Sequence, residues 1–300
     1  MLTDTHAHID FSQFDNDRDD VIKRASAENI IIINSGLGVS GIIKAVDLTR
    51  KYNNIYATLG LHPASCNPNF HRKKRINKSV YNTSKFHTSW IKERSSSNII
   101  HEDINNTSRL DPGEIFINLI DETIGEIRKN KDNKKVIGIG EVGLDYHWVE
   151  EKELRKIQQK SFEKFIQLSN EINLPLLVHS RNAEKDCIKI LKQHNKRAIL
   201  HCFSGTTELA LEAISFGCLI SITTTFMNSP YRKRMVSELP LEKIVLETDA
   251  PYLSPFPSKR NEPINIKLTA KKIAEIKGTK FEKVAEITTK NVEKFFAVKF

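Results

Sequence analysis

The chain has 300 residues, 39% of them hydrophobic and 28% charged, with a formal net charge of +9. That is long enough for one α/β barrel of about 250 residues or for two small domains. It contains no apolar run of about 18 residues and no charged-then-apolar leader, so no membrane association is expected; the cytoplasm is the expected location, with the nucleus as the alternative.

Four cysteines (Cys66, Cys187, Cys202, Cys218) lie far apart without a CxxC pair, which argues against a zinc knuckle or disulfide framework and for free thiols. The positive balance suits an anionic partner such as nucleic acid.

In chain order, the first strand-like run is LTDTHAHI (residues 2–9), where His6 and His8 occupy alternate positions and so share a face. NIIIINSG (29–36) and IYATLGLHP (55–63) follow. Residues 64–113 carry nine Lys/Arg against four Asp/Glu, over half of the excess charge, in a Ser-, Asn- and Thr-rich stretch without sustained period. An inserted basic, mobile loop over 65–113 is therefore expected, with Tyr81, Phe86 and Trp90 available for base stacking or the whole carried passively.

Beyond it, Ile115, Leu119, Ile120, Ile124 and Ile127 predict an amphipathic helix over 114–129. A strand run, KVIGIGEVGLD (135–145), comes next, and Leu154, Ile157, Phe165, Leu168 and Ile172 share one face of a helix over 153–172. Four more strand runs complete the chain: LPLLVHSR (174–181), RAILHCFSG (197–205), CLISITT (218–224) and KIVLETDAPYL (243–253). Eight strands alternating with helices fit a doubly wound sheet or a closed (β/α)8 barrel.

Polar residues separate the two. Six of the eight runs close on a His, Glu or Asp: His6 and His8, His62, Glu141, His179, His201 and Asp249. In a barrel these strand ends meet at one face, whereas in an open sheet they are strung along its edge. Convergence favours a single-domain (β/α)8 TIM barrel spanning 1–300. Four of these imidazoles together with the two carboxylates suit divalent metal binding, and six ligands exceed the three that one open catalytic zinc takes, so two ions are implied. A pair of ions bridged by a carboxylate is suited to phosphodiester cleavage.

TDTHAHID, GLHP, IGIGEVGLDY, PLLVHSR, LHCFSG and LETDAPYLSP, in this order, resemble the TatD family of metal-dependent deoxyribonucleases in the amidohydrolase superfamily. The resemblance covers the chain outside 65–113. It implies that His6, His8 and Asp249 hold one divalent ion (Mg²⁺, Mn²⁺ or Zn²⁺), that His179 and His201 hold a second, and that Glu141 bridges them. Glu141 stands where many amidohydrolases use a carboxylated lysine. Asp249 is then ligand and general base, taking the proton of the water that attacks phosphorus, and Glu141 is the other catalytic carboxylate.

His62 has no metal role in that pattern and is expected to donate to a substrate phosphate or to be locked by Pro63. Arg181 and Ser204 contact phosphate or cap helices, and Lys259 and Arg260 in SPFPSKRNEP grip phosphate or form a solvated pair. SKRNEP lacks the family's usual glycine, and Met227 replaces a common lysine. The expected substrate is DNA, degraded 3′→5′, with no obligatory protein partner. A metallohydrolase of small esters or amides and a noncatalytic nucleic-acid-binding protein are the alternatives.

Overall fold

The computed structural model describes residues 1–67 and 112–300. Eight strands, β1 (Leu2–Ala7), β2 (Ile30–Leu37), β3 (Ile55–Gly60), β4 (Val136–Gly143), β5 (Leu176–His179), β6 (Ala198–Leu200), β7 (Leu219–Thr223) and β8 (Ile244–Glu247), pair in parallel and in sequence order. Crossovers are supplied by α1 (Arg18–Ala27), α2 (Gly38–Lys51), α3 (Pro112–Asn130), α4 (Lys152–Glu171), α5 (Glu184–Gln193), α6 (Thr207–Ser215) and α7 (Pro230–Glu238), with α8 (Ile266–Lys277) and α9 (Phe281–Phe296) after β8.

The last strand returns to the first, as a barrel requires. Asp249 N–H donates to the His6 carbonyl at 2.9 Å, and His8 N–H donates to the Ala250 carbonyl at 2.7 Å. Beside this seam the buried Asp4 carboxylate accepts from Thr248 N–H at 2.8 Å and from the Thr248 hydroxyl at 2.5 Å. The (β/α)8 barrel expected from the strand ends is the fold observed.

Strand alternation organises its interior in two layers. Ile33, Ile137, Ile199, Leu219 and Val245 form one buried apolar cluster, into which α9 sends Val292, Phe295 and Phe296. Two residues further along four of these strands stand Ser35, His201, Ser221 and Glu247, all buried. A period of two keeps each pair on one face, so the apolar floor lies directly beneath the polar layer. The larger core packs the helices against the barrel's outer face, with Phe116, Phe162, Phe165 and Ile166 among its buried side chains.

The expected helices over 114–129 and 153–172 are α3 and α4 with slightly shifted ends. The expected insertion over 65–113 is described only at its edges: Pro63–Cys66 form a 3-10 turn and α3 starts at Pro112. Tyr81, Phe86 and Trp90 lie outside the described residues. No helix among the described residues is long and apolar enough to cross a membrane.

Candidate metal centre

At the C-terminal face, strand ends from around the barrel meet. His6 lies in β1 and His8 just beyond it, Glu141 near the end of β4, His179 at the end of β5, His201 just after β6 and Asp249 two residues past β8. Glu141 sits between two histidine pairs. Its Oε2 lies 3.6 Å from His6 Nε2 and 3.7 Å from His8 Nε2, while its Oε1 lies 2.6 Å from His179 Nδ1 and 3.6 Å from His201 Nε2. Asp249 Oδ1 joins the first pair, at 3.6 Å from His6 and 3.7 Å from His8.

The far side of each imidazole decides which nitrogen faces the centre. His8 Nδ1 meets the Ser35 carbonyl at 3.1 Å, His179 Nε2 meets Asp145 Oδ2 at 2.8 Å, and His201 Nδ1 meets Glu247 Oε2 at 3.0 Å. A carbonyl or carboxylate there takes an N–H, so the neutral ring turns a lone pair inward. His6 Nδ1 pairs with the Ser35 hydroxyl at 2.9 Å, and that hydroxyl also meets Thr58 Oγ1 at 2.8 Å. His62 is set the opposite way. Its Nδ1 accepts from Ala64 N–H at 3.1 Å, which leaves the ring proton on Nε2, 3.5 Å from Glu141 Oε1.

The shared face of His6 and His8 does not come from pleating alone, because the β1 register shifts between Asp4 and Ala7. Ser35 settles it, holding His6 with its hydroxyl and His8 with its carbonyl. Their Nε2 atoms end 3.1 Å apart. Gly60 allows Glu141 its position from the other side: a Cβ there would come within 2.6 Å of the Glu141 carbonyl.

The donor set fits divalent cations. His179 Nδ1 is buried, lacks a hydrogen-bond partner and faces a carboxylate oxygen at 2.6 Å, an arrangement that a proton or a metal ion must relieve. Groups able to hold an ion include His6, His8 and Glu141; His6, His201 and Asp249; and Glu141, His179 and His201.

Protonation follows the same geometry. Burial pushes the His179 imidazolium pKa down, but the charges of Glu141 and Asp145 overcome it and raise it to about 10. Burial likewise opposes the His201 imidazolium, and Glu247 lifts it to about 9. Burial would raise Glu141, yet His62, His179 and His201 hold it well below the usual carboxylate range. Asp249 goes the other way: burial drives its carboxyl up to about 7, against the pull of His201. Its backbone has φ +56°, a left-handed conformation that aspartate tolerates better than most residues.

The sequence model of the family described as "TatD related DNase" matches residues 3–297. The chain belongs to this family. It is a TatD-family hydrolase of ester bonds. It is 34% identical to the uncharacterized metal-dependent hydrolase YabD of Bacillus subtilis, covering 99% of this chain and 100% of that one. It is 31% identical to the human deoxyribonuclease TATDN3, covering 98% and 94%. The fold resembles that of the TatD homologue YJJV from Escherichia coli, with a TM-score of 0.73 at 21% identity over 99% and 98% of the two chains.

Around this TatD-family centre, the expected substrate contacts separate. His62 stands at it, with its ring centroid 4.5 Å from that of His179. Arg181 is exposed just past β5. Ser204 donates to Glu184 Oε1 at 2.6 Å and does not cap a helix; Thr206 caps α6, accepting from Leu209 N–H. Lys259 is exposed, with Nζ 5.8 Å over the Phe256 ring. Arg260, expected to grip phosphate or form a solvated pair, is engaged within the protein. Its guanidinium donates to Asp17 at 2.7 and 2.6 Å, to Glu262 at 3.1 Å and to the Gln13 carbonyl at 2.6 Å, and covers the Phe14 ring.

Sequence reasoning missed Ser35, Asp145 and Glu247, which orient the four histidines, and Asn261, which holds the Asp249 loop. Buried Asn261 donates to the Thr248 carbonyl at 2.8 Å and to the Leu253 carbonyl at 3.2 Å. Asp145 and Glu247 both stand inside motifs already singled out, GLDY and LETD, and acids so near ligand positions were the available signal.

Proposed function

We propose that this protein is a deoxyribonuclease that hydrolyses phosphodiester bonds with two divalent ions, degrading DNA 3′→5′. The observation that carries the reading is the two-sided Glu141 carboxylate, with one oxygen toward His6 and His8 and the other toward His179 and His201. Asp249 joins the first pair, so His6, His8 and Asp249 would hold one ion, His179 and His201 the other, and Glu141 both. The naming of a human relative as a deoxyribonuclease supports a DNA substrate.

Bound there, divalent ions supply positive charge to the phosphoryl oxygens and to the attacking water. The residues do the rest. Asp249, whose Oδ1 stands 3.6 Å from His6 and 3.7 Å from His8, would accept the water's proton. His62 presents Nε2–H toward the centre, where it donates to a phosphate oxygen but cannot ligate as the neutral ring. Asp145 and Glu247 keep His179 and His201 in the ligating tautomer.

The test is hydrolysis of 3′-labelled single-stranded DNA and its duplex with EDTA, Mg²⁺, Mn²⁺ and Zn²⁺ in turn. Metal-dependent release of mononucleotides from the 3′ end is expected. Internal cuts would overturn the exonuclease reading, and inertness toward DNA in protein holding two ions would move the substrate to a small ester or amide.

A further inference from the structure

The rim between β4 and β5 carries an aromatic ring that the hydrolytic residues leave unused. Trp148 follows β4, and its backbone is pinned on both sides. Its N–H donates to Asp145 Oδ1 at 2.8 Å, and its carbonyl accepts from Asn67 Nδ2 at 2.7 Å. The other oxygen of Asp145 holds His179 at 2.8 Å, so one carboxylate fixes both a histidine of the centre and the place of the indole beside it. The ring remains half-buried, edge-on to exposed His147 at 4.9 Å between centroids.

Arg181 faces the same ring. Its guanidinium carbon stands 5.8 Å from the indole centroid, and the side chain makes no ion pair or hydrogen bond among the described residues. After burial, its charge is the main influence lowering the His147 pKa next to Trp148.

We propose that Trp148 and Arg181 form a nucleotide subsite beside the hydrolytic centre, with a base stacked on the indole and the adjoining phosphate on the guanidinium. The inference rests on the nuclease reading and deepens it: a base-bearing chain, rather than any phosphodiester, is what this rim selects. Every base offers a π-face, so stacking is strong and tolerant of sequence. The guanidinium fork matches two phosphate oxygens at once. An indole whose backbone is already tethered loses little freedom when a base settles on it.

Two p-nitrophenyl diesters test the subsite, one of thymidine 5′-phosphate and one of methyl phosphate, which has no base. Trp148→Ala is expected to reduce the kcat/KM preference for the thymidine diester about tenfold, chiefly through KM, and Trp148→Phe to restore most of it. An unaltered preference in Trp148→Ala would overturn the proposal. In parallel, the dinucleotide pTpT is titrated in EDTA while tryptophan fluorescence is followed. Saturable quenching that disappears in Trp148→Phe and weakens about tenfold in Arg181→Ala upholds the subsite, and absence of quenching overturns it. Failure of the parent enzyme on both diesters would sink the nuclease reading alone, leaving the fluorescence titration to decide the subsite.

Discussion

Glu247 and His201, both buried, are joined by a 3.0 Å hydrogen bond. The carboxylate is fully used: it also accepts from Cys202 N–H at 2.7 Å and from the Ser221 hydroxyl at 2.6 Å. Three donors converge on two oxygens, so Glu247→Gln puts an amide NH₂ against at least one of them. Such a change commonly costs 10–100-fold in metal affinity. Calorimetric titration with Mn²⁺ or Zn²⁺ is expected to show a loss of at least about tenfold. Affinity within about twofold of the parent would mean that His201 needs no such support.

Glu141 gives a sharper stoichiometric prediction. With one carboxylate between two histidine pairs, Glu141→Ala is expected to bind fewer than two ions and to lose DNA hydrolysis by at least about a thousandfold. The variant removes a side chain from a polar layer already crowded with donors, so the barrel's far-ultraviolet circular dichroism is expected to persist. Elemental analysis after dialysis gives the ion count, and retention of two ions would overturn the bridging role.

Metal affinity is expected to climb with pH. His179 and His201 hold their protons up to about 10 and about 9, and an ion must displace them before it binds. Proton release, read by calorimetry in buffers of different ionisation enthalpy, is therefore expected at pH 7, with affinity rising from pH 6 to 8. A flat profile would contradict it. The sign for stability in EDTA is the reverse. Both pKa values are raised above the unfolded imidazole value of about 6.5, so their contribution is full below that pH and is lost as pH rises through about 9 to 10. The denaturation midpoint in EDTA is expected to fall over that alkaline interval.

The barrel and the convergence of these side chains were legible for one reason: the rule that brings all C-terminal strand ends to one face turns a scattered list of His, Glu and Asp into a single cluster. What supports them was not. β2 and β7, whose runs close on no His, Glu or Asp, supply Ser35 and Ser221, and a buried serine has no distinctive signature in an apolar run. Arg260 shows the opposite difficulty. Beside Lys259 it looks like a phosphate grip, and only the spatial return of Asp17, 243 residues away in sequence, reveals a tether between the first and last strand loops.

That tether separates two readings by experiment. Arg260→Ala is expected to lower stability by about 1 kcal/mol, since the pair is half-exposed but doubly bonded. Buried Asn261→Ala is expected to cost about 2 kcal/mol and to loosen the loop that carries Asp249. Thermal unfolding measures both. A raised KM for DNA in Arg260→Ala with an unchanged unfolding temperature would restore Arg260 to the substrate.

The floor built by Ile33, Ile137, Ile199, Leu219 and Val245 with Phe295 and Phe296 of α9 makes the barrel a well with a closed bottom. Nothing can be threaded through it. Whatever reaches the polar layer must arrive over the rim and withdraw by the same opening, so traffic in both directions shares a single doorway. Loops bordering that doorway therefore control how fast product leaves as well as what is admitted.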